Sequence, residues 1–161
     1  MDINEEIKLY SEDDIQKMRI AEEARLPGKS RIAEIKNYAR LSGIKLIGIA
    51  YCISFKREVA RLIEALEAEF EVFSIDCFKD RIPSSELLGM DVKGISCNPA
   101  GQANYLAQNN TELNISFGLC MGHDILFTQK SKAPVTTLIV KDRKYKHNPF
   151  EAFKDNNKEQ G

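Results

Sequence analysis

Tryptophan is absent from this 161-residue chain, histidine occurs only twice, and neither sign of charge dominates: 24 acidic side chains face 23 basic ones, a formal net of -1. The missing basic excess argues against a nucleic-acid binder that works by bulk attraction to phosphate. No apolar run approaches the roughly 18 residues of a membrane-spanning helix. The start, Met1-Asp2-Ile3-Asn4-Glu5-Glu6, has neither the basic opening nor the apolar stretch of a secretory signal. The expectation is a cytoplasmic protein without a membrane partner, whose four cysteines are reduced thiols, metal ligands or catalysts. No C-x-x-C pair occurs, so neither a zinc knuckle nor a thioredoxin-type motif is indicated. A chain of this length buries roughly 70% of its unfolded surface, so the fold needs no disulfide or metal staple to reach a working core.

What the chain does contain is alternation. Residues 1–43 read as an extension of two charged amphipathic helices, the first capped by Ser11 and ended by Pro27-Gly28, the second running from Ser30 to Gly43. Residues 44–153 then alternate short apolar runs with helical patterns. Strands are expected at 45–51, 71–76, 114–119 and 135–140. Helices are expected from a Ser54 cap, from Asn98-Pro99, and near His123, with 78–96 mostly loop and 154–161 a frayed tail. Strands joined by helices imply right-handed crossovers and a parallel sheet. The expected fold is therefore a small three-layer, Rossmann-like or flavodoxin-like α/β domain of about four strands, one domain overall.

Placed on that map, the cysteines gather. Cys52, Cys77 and Cys120 each follow a strand, and Cys97 immediately precedes a helix cap, so all four are expected at the carboxyl edge of the sheet. Open parallel sheets bind ligands at that edge. With strand order 2-1-3-4, thiols on neighbouring strands about 4.8 Å apart could converge on one metal. Thiolate donors without carboxylates suit a [4Fe-4S] cluster first and zinc second, the latter with His123 as a nitrogen ligand. The competing interpretation of any one buried cysteine is simple packing.

A second pattern overlaps the first. Gly118-Leu119-Cys120-Met121-Gly122-His123 fits G-x-C-x-G at a strand-to-helix junction, the setting of a nucleophile elbow. It locally resembles the elbow of class I glutamine amidotransferases. This gives an alternative, a metal-free hydrolase or sulfur transferase with Cys120 as nucleophile and His123 or His147 as base. Residues 97–129 carry two charged side chains and eight amides, so Asn98 and Gln102, with Gly122, are candidates to contact a cluster sulfur or bound ligand from behind the cysteines.

The segments Gly48-Ile49-Ala50-Tyr51-Cys52, Cys97-Asn98-Pro99 with Gln102-Ala103, Gly118 to Asp124, Ser131 to Thr136, and Lys141-Asp142-Arg143 to His147-Asn148-Pro149 resemble the DUF1847 family of uncharacterised, predicted metal-binding proteins. The resemblance spans about residues 8–153. It implies a small α/β domain in which Cys52, Cys77, Cys97, Cys120 and His123 belong to the shared pattern. Many members also carry a cysteine-rich segment ahead of the first helix, whereas here no cysteine precedes Cys52. The expectation is thus a metal-binding protein, with redox or sulfur-handling chemistry on a small or sulfur-containing substrate and a homodimer as one assembly.

Overall fold

The structure is a computed structural model, and it describes residues 3–89 and 91–154. The expected tail beyond Lys154 lies outside the described residues. The chain divides into two compact units, residues 1–45 and 46–161.

The first unit holds α1 (Ile3–Ile7), α2 (Glu12–Ala24) and α3 (Arg31–Leu41). Ser11 caps α2 with a full capping box, its hydroxyl accepting from the Asp14 N–H while the Asp14 carboxylate accepts from the Ser11 N–H. Ser30 caps α3 more simply, its hydroxyl accepting from the Ala33 N–H at 3.3 Å. Helices α2 and α3 pack together, and Asn37 Nδ2 donates to Ala24 O across them at 3.3 Å.

The second unit is a four-stranded, all-parallel sheet in the order β2-β1-β3-β4. The strands are β1 (Leu46–Tyr51), β2 (Glu71–Asp76), β3 (Leu113–Phe117) and β4 (Val135–Ile139). Between them run α4 (Lys56–Leu66), the short α5 (Ser84–Leu88), α6 (Pro99–Gln108) and α7 (Met121–Lys130). The architecture is α/β with a flanked parallel sheet, consistent with a Rossmann-like or flavodoxin-like fold. Strand order reverses direction after β2, so right-handed crossovers place α4 on one face and α6 with α7 on the other. Contacts between α6 and α7, and of α6 with β1 and β2, agree with that assignment.

The sequence explains these layers. In β1, Ile47, Gly48, Ile49 and Ala50 are all buried, as a strand covered on both faces requires. On the α6 face, Ala50 joins Ala103, Leu106, Leu119 and Phe127 in a buried cluster, with Phe73, Ile75, Tyr105 and Val135 packed against it. Each fully buried Leu or Phe there contributes about 2 kcal/mol. A Cβ at Gly48 would sit 2.1 Å from Asn114 Oδ1 and 2.9 Å from Leu106 Cδ1, so the missing side chain is what lets α6 approach the sheet. Polar groups on this face are paired: Thr111 Oγ1 donates to Asn114 Oδ1 (2.8 Å), and Asn114 Nδ2 donates to Ser131 Oγ (2.7 Å).

Several boundaries differ from expectation. Helix α4 begins at Lys56, behind a 3-10 turn at Ile53–Phe55, because the Ser54 hydroxyl lies 3.5 Å from Cys52 Sγ instead of capping the helix. Strand β3 stops at Phe117, since Gly118 takes a left-handed φ of 64°. Helix α7 then starts two residues before His123, with Cys120 in the cap position. The loop between β2 and α6 is more ordered than expected. It contains α5 and is zipped by an antiparallel bridge between Pro83 and Ile95, flanked by Ser84 N to Gly94 O and Ser96 N to Ile82 O, both 2.9 Å.

Candidate functional site

All four cysteines are free and reach the carboxyl edge of the sheet. Cys52 directly follows β1, and its N–H donates to Phe117 O of β3 at 3.2 Å. Cys77 directly follows β2, and its carbonyl accepts from Asn98 N at 2.8 Å, which brings the segment carrying Cys97 alongside it. Cys120 lies three residues past β3 at the start of α7. Cys52 and Cys77 are buried, Cys97 and Cys120 half-buried.

The electrostatics distinguish the thiols. Burial alone would raise Cys52, but the Lys141 ammonium 2.8 Å from its sulfur, together with Ser54, outweighs it and holds the thiol below its ordinary value. Among the described residues, no basic side chain hydrogen-bonds to the Cys77 sulfur. Burial first, then the Cys97 and Cys52 thiols, push it up to about 12 despite the Ile53 N–H donating to its sulfur at 3.5 Å. Cys97 is also raised, by burial and then by the presence of Cys120 and Cys52, with Cys77 pulling the other way. Arg143 Nη2 lies 3.6 Å from Cys120 Sγ. Lys141 and Arg143 both follow β4, so one short segment sends a cation to each of two thiols.

The remaining candidates divide. Asn98 caps α6, accepting from Gly101 N at 2.8 Å while its Nδ2 donates to Lys79 O at 3.2 Å, so both ends of the amide are engaged within the fold. Gln102 is fully buried and spans two strand ends, its Nε2 donating to Tyr51 O (3.1 Å) and Ile75 O (3.0 Å). Its Oε1 is buried without a partner among the described residues. Gly122 is exposed, and a Cβ there would meet open space. The elbow exists as a turn: β3, left-handed Gly118, Cys120 at the cap and α7 follow in order. His123 is half-buried in the first turn of α7. His147 Nδ1 accepts from Asp142 N at 3.1 Å, which leaves its proton on Nε2, and its ring meets Phe55 edge-on at 4.6 Å. No hydrogen bond joins either histidine to a cysteine sulfur among the described residues.

Two participants were not singled out from the sequence for these contacts, Lys141 and Arg143. Their signal was position: they follow the fourth strand and so belong to the same edge as the thiols. Among the described residues, no group of three or more His, Cys, Asp or Glu side chains has the geometry to hold a metal ion as it stands. No helix among them is long and apolar enough to cross a membrane.

Fold and edge together define a small doubly wound α/β domain with a thiol-lined carboxyl edge and cations reaching in from the last strand. The chain belongs to the DUF1847 family of proteins of unknown function, whose model matches residues 2–138. It is similar to the uncharacterised protein MJ0455 of Methanocaldococcus jannaschii, at 44% identity over 124 residues. That match covers 74% of this chain and 64% of the relative, so the chain spans less than two thirds of the relative's length. No solved structure matches the chain.

Proposed function

We propose that this is a cytoplasmic metal-binding protein whose centre uses Cys52, Cys77, Cys97 and Cys120, an iron-sulfur cluster ahead of zinc. The observation that carries the reading is that four free thiols from four separate segments share one sheet edge and perturb one another electrostatically. The donor chemistry fits a soft or borderline metal, being all sulfur. The spacing does not enclose an ion as it stands, so loading requires the four side chains to turn inward. When bound, the group would supply one-electron transfer as a cluster or an acceptor for an electron pair as zinc, acting on a small sulfur-containing substrate.

The chain's own residues have identifiable tasks. Four thiolates bring a charge that the buried edge opposes, and Lys141 and Arg143 are placed to offset it. Cys77 is the hardest donor to recruit. Removing a proton from a thiol held at about 12 costs about 6 kcal/mol near pH 7.5, well below the roughly 10–16 kcal/mol that structural thiolate sites gain from metal. The test is anaerobic purification, metal and acid-labile sulfide analysis, and a visible absorption spectrum, since a cluster absorbs broadly and zinc does not. Less than about a tenth of an equivalent of metal, after reconstitution as well, sinks the reading.

One observation favours a second reading, a metal-free cysteine nucleophile. The Lys141 ammonium sits 2.8 Å from Cys52, which makes Cys52 the better-supported nucleophile in that case, although Cys120 keeps the elbow. Alkylation by iodoacetamide separates the two: one fast-reacting residue supports a nucleophile, joint protection of all four supports a metal centre.

A further inference from the structure

The neck of the loop between β2 and α6 holds two of the four thiols side by side. Residues 78–96 leave the sheet edge at Cys77 and return at Cys97, with Asn98 N hydrogen-bonded to Cys77 O at 2.8 Å. The Pro83–Ile95 bridge, Ser84 N to Gly94 O and Ser96 N to Ile82 O hold the two arms together further out. Asn98 Nδ2 adds a bond to Lys79 O at 3.2 Å. The two main chains at the neck are therefore fixed within one hydrogen bond of each other, and the two thiols lie close enough to perturb one another.

Cys52 is the competing partner for Cys77, whose sulfur accepts from the neighbouring Ile53 N–H at 3.5 Å. The Cys52 sulfur has partners of its own, Lys141 Nζ at 2.8 Å and Ser54 Oγ at 3.5 Å. Parallel neighbours also suit a disulfide poorly, because Cys52 and Cys77 stand at consecutive positions beyond the Tyr51–Asp76 pair of one ladder. The loop neck has no such ladder constraint, and it brings its two residues together from opposite directions.

We propose that Cys77 and Cys97 form a reversible disulfide, with a small-molecule disulfide such as oxidised glutathione as co-substrate. One S–S bond of the co-substrate breaks and one forms between Cys77 and Cys97. The two protein thiols are oxidised, and their two protons leave on the two thiols released from the co-substrate. The bond itself stands on the packing at the neck. Its consequence, that oxidation withdraws two sulfurs from the metal centre and expels its occupant, rests on the reading given above.

The experiment uses the reduced full-length chain, anaerobically, both as purified with its metal content recorded and after chelation. Each is incubated with excess oxidised glutathione, and its disulfides are mapped by mass spectrometry. Cys97 and Cys120 share one tryptic peptide, residues 94–130, so fragment ions assign the linkage. In the chelated sample the expected product is a Cys77–Cys97 cross-link at least about ten-fold more abundant than any other pair. It should persist in Cys52→Ser and be lost in Cys97→Ser, which stops at a mixed disulfide. A dominant Cys52–Cys77 or Cys97–Cys120 link, or four thiols still free, overturns the proposal. Metal bound before oxidation and released with the cross-link supports the coupled device. The cross-link without any metal at the start leaves the disulfide standing and counts against the metal reading alone.

Discussion

Replacing Gly118 by alanine tests how the turn after β3 supports the site. Gly118 has a φ of 64°, and its N–H donates to Ile139 O at 2.7 Å, so the backbone cannot easily relax. Holding alanine in the left-handed region costs about 1–2 kcal/mol. The new Cβ would also lie 2.1 Å from Phe55 Cε2 and 2.4 Å from Phe55 Cδ2. Phe55 is buried and ringed by Phe117 (5.6 Å) and His147 (4.6 Å), with Lys141 5.8 Å from its ring centre, so it has little room to retreat. Overpacking of that kind adds about 1–3 kcal/mol. Gly118→Ala is therefore expected to lose about 2–5 kcal/mol, read as a urea midpoint lower by roughly 1–2.5 M at a slope near 2 kcal/mol per M. Because the displaced ring borders Lys141, alkylation of Cys52 should change as well. In a Phe55→Leu background the clash shrinks and only the backbone cost should remain, about 1–2 kcal/mol. A Gly118→Ala midpoint within about 0.25 M of the parent, or an unchanged penalty in the Phe55→Leu background, would refute the reasoning.

Further outcomes follow from the same geometry. Lys141→Met removes the cation beside Cys52, and iodoacetamide should then label Cys52 roughly ten-fold more slowly at neutral pH; an unchanged rate denies the ion contact any role. Cys77 binds its proton more tightly when folded than when unfolded, so the chelated protein should lose stability as pH rises from about 9 toward 12, by about 1.4 kcal/mol per unit. Urea melts across that range should lose this slope in Cys77→Ala. Gln102→Leu strips the donors from Tyr51 O and Ile75 O and should cost about 2–5 kcal/mol, checked by the same melts. A cost under about 0.5 kcal/mol would mean those carbonyls find other donors.

Much of the fold was legible in the chain because its strands are short apolar runs separated by helical patterns, and a buried parallel sheet demands that. The helix starts were less legible where tertiary contacts replaced local chemistry. Ser54 has the character of a cap but its hydroxyl faces Cys52, and Cys120 occupies a cap position that cysteine seldom signals. The thiols could be placed at one edge from strand ends alone. What could not be read was which sulfur meets a cation, because Lys141 and Cys52 are brought together by the sheet and by no local spacing. The use of Asn98 was hidden for the same reason, since its second bond runs to Lys79 across a loop.

That same contact between Lys141 and Cys52 joins positions 89 residues apart, and so orders events in time. During synthesis the helices of the first unit, β1, β2 and β3 are all made before the chain reaches Lys141. At about 5–20 residues per second, several seconds separate the appearance of Cys52 from that of its cation. Contacts of such long range also close late in folding, because loop entropy must be lost before they form. A nascent chain therefore exposes its thiols before Lys141 and Arg143 arrive. A chain interrupted before residue 141 carries the full set of sulfurs without the charge that tempers them.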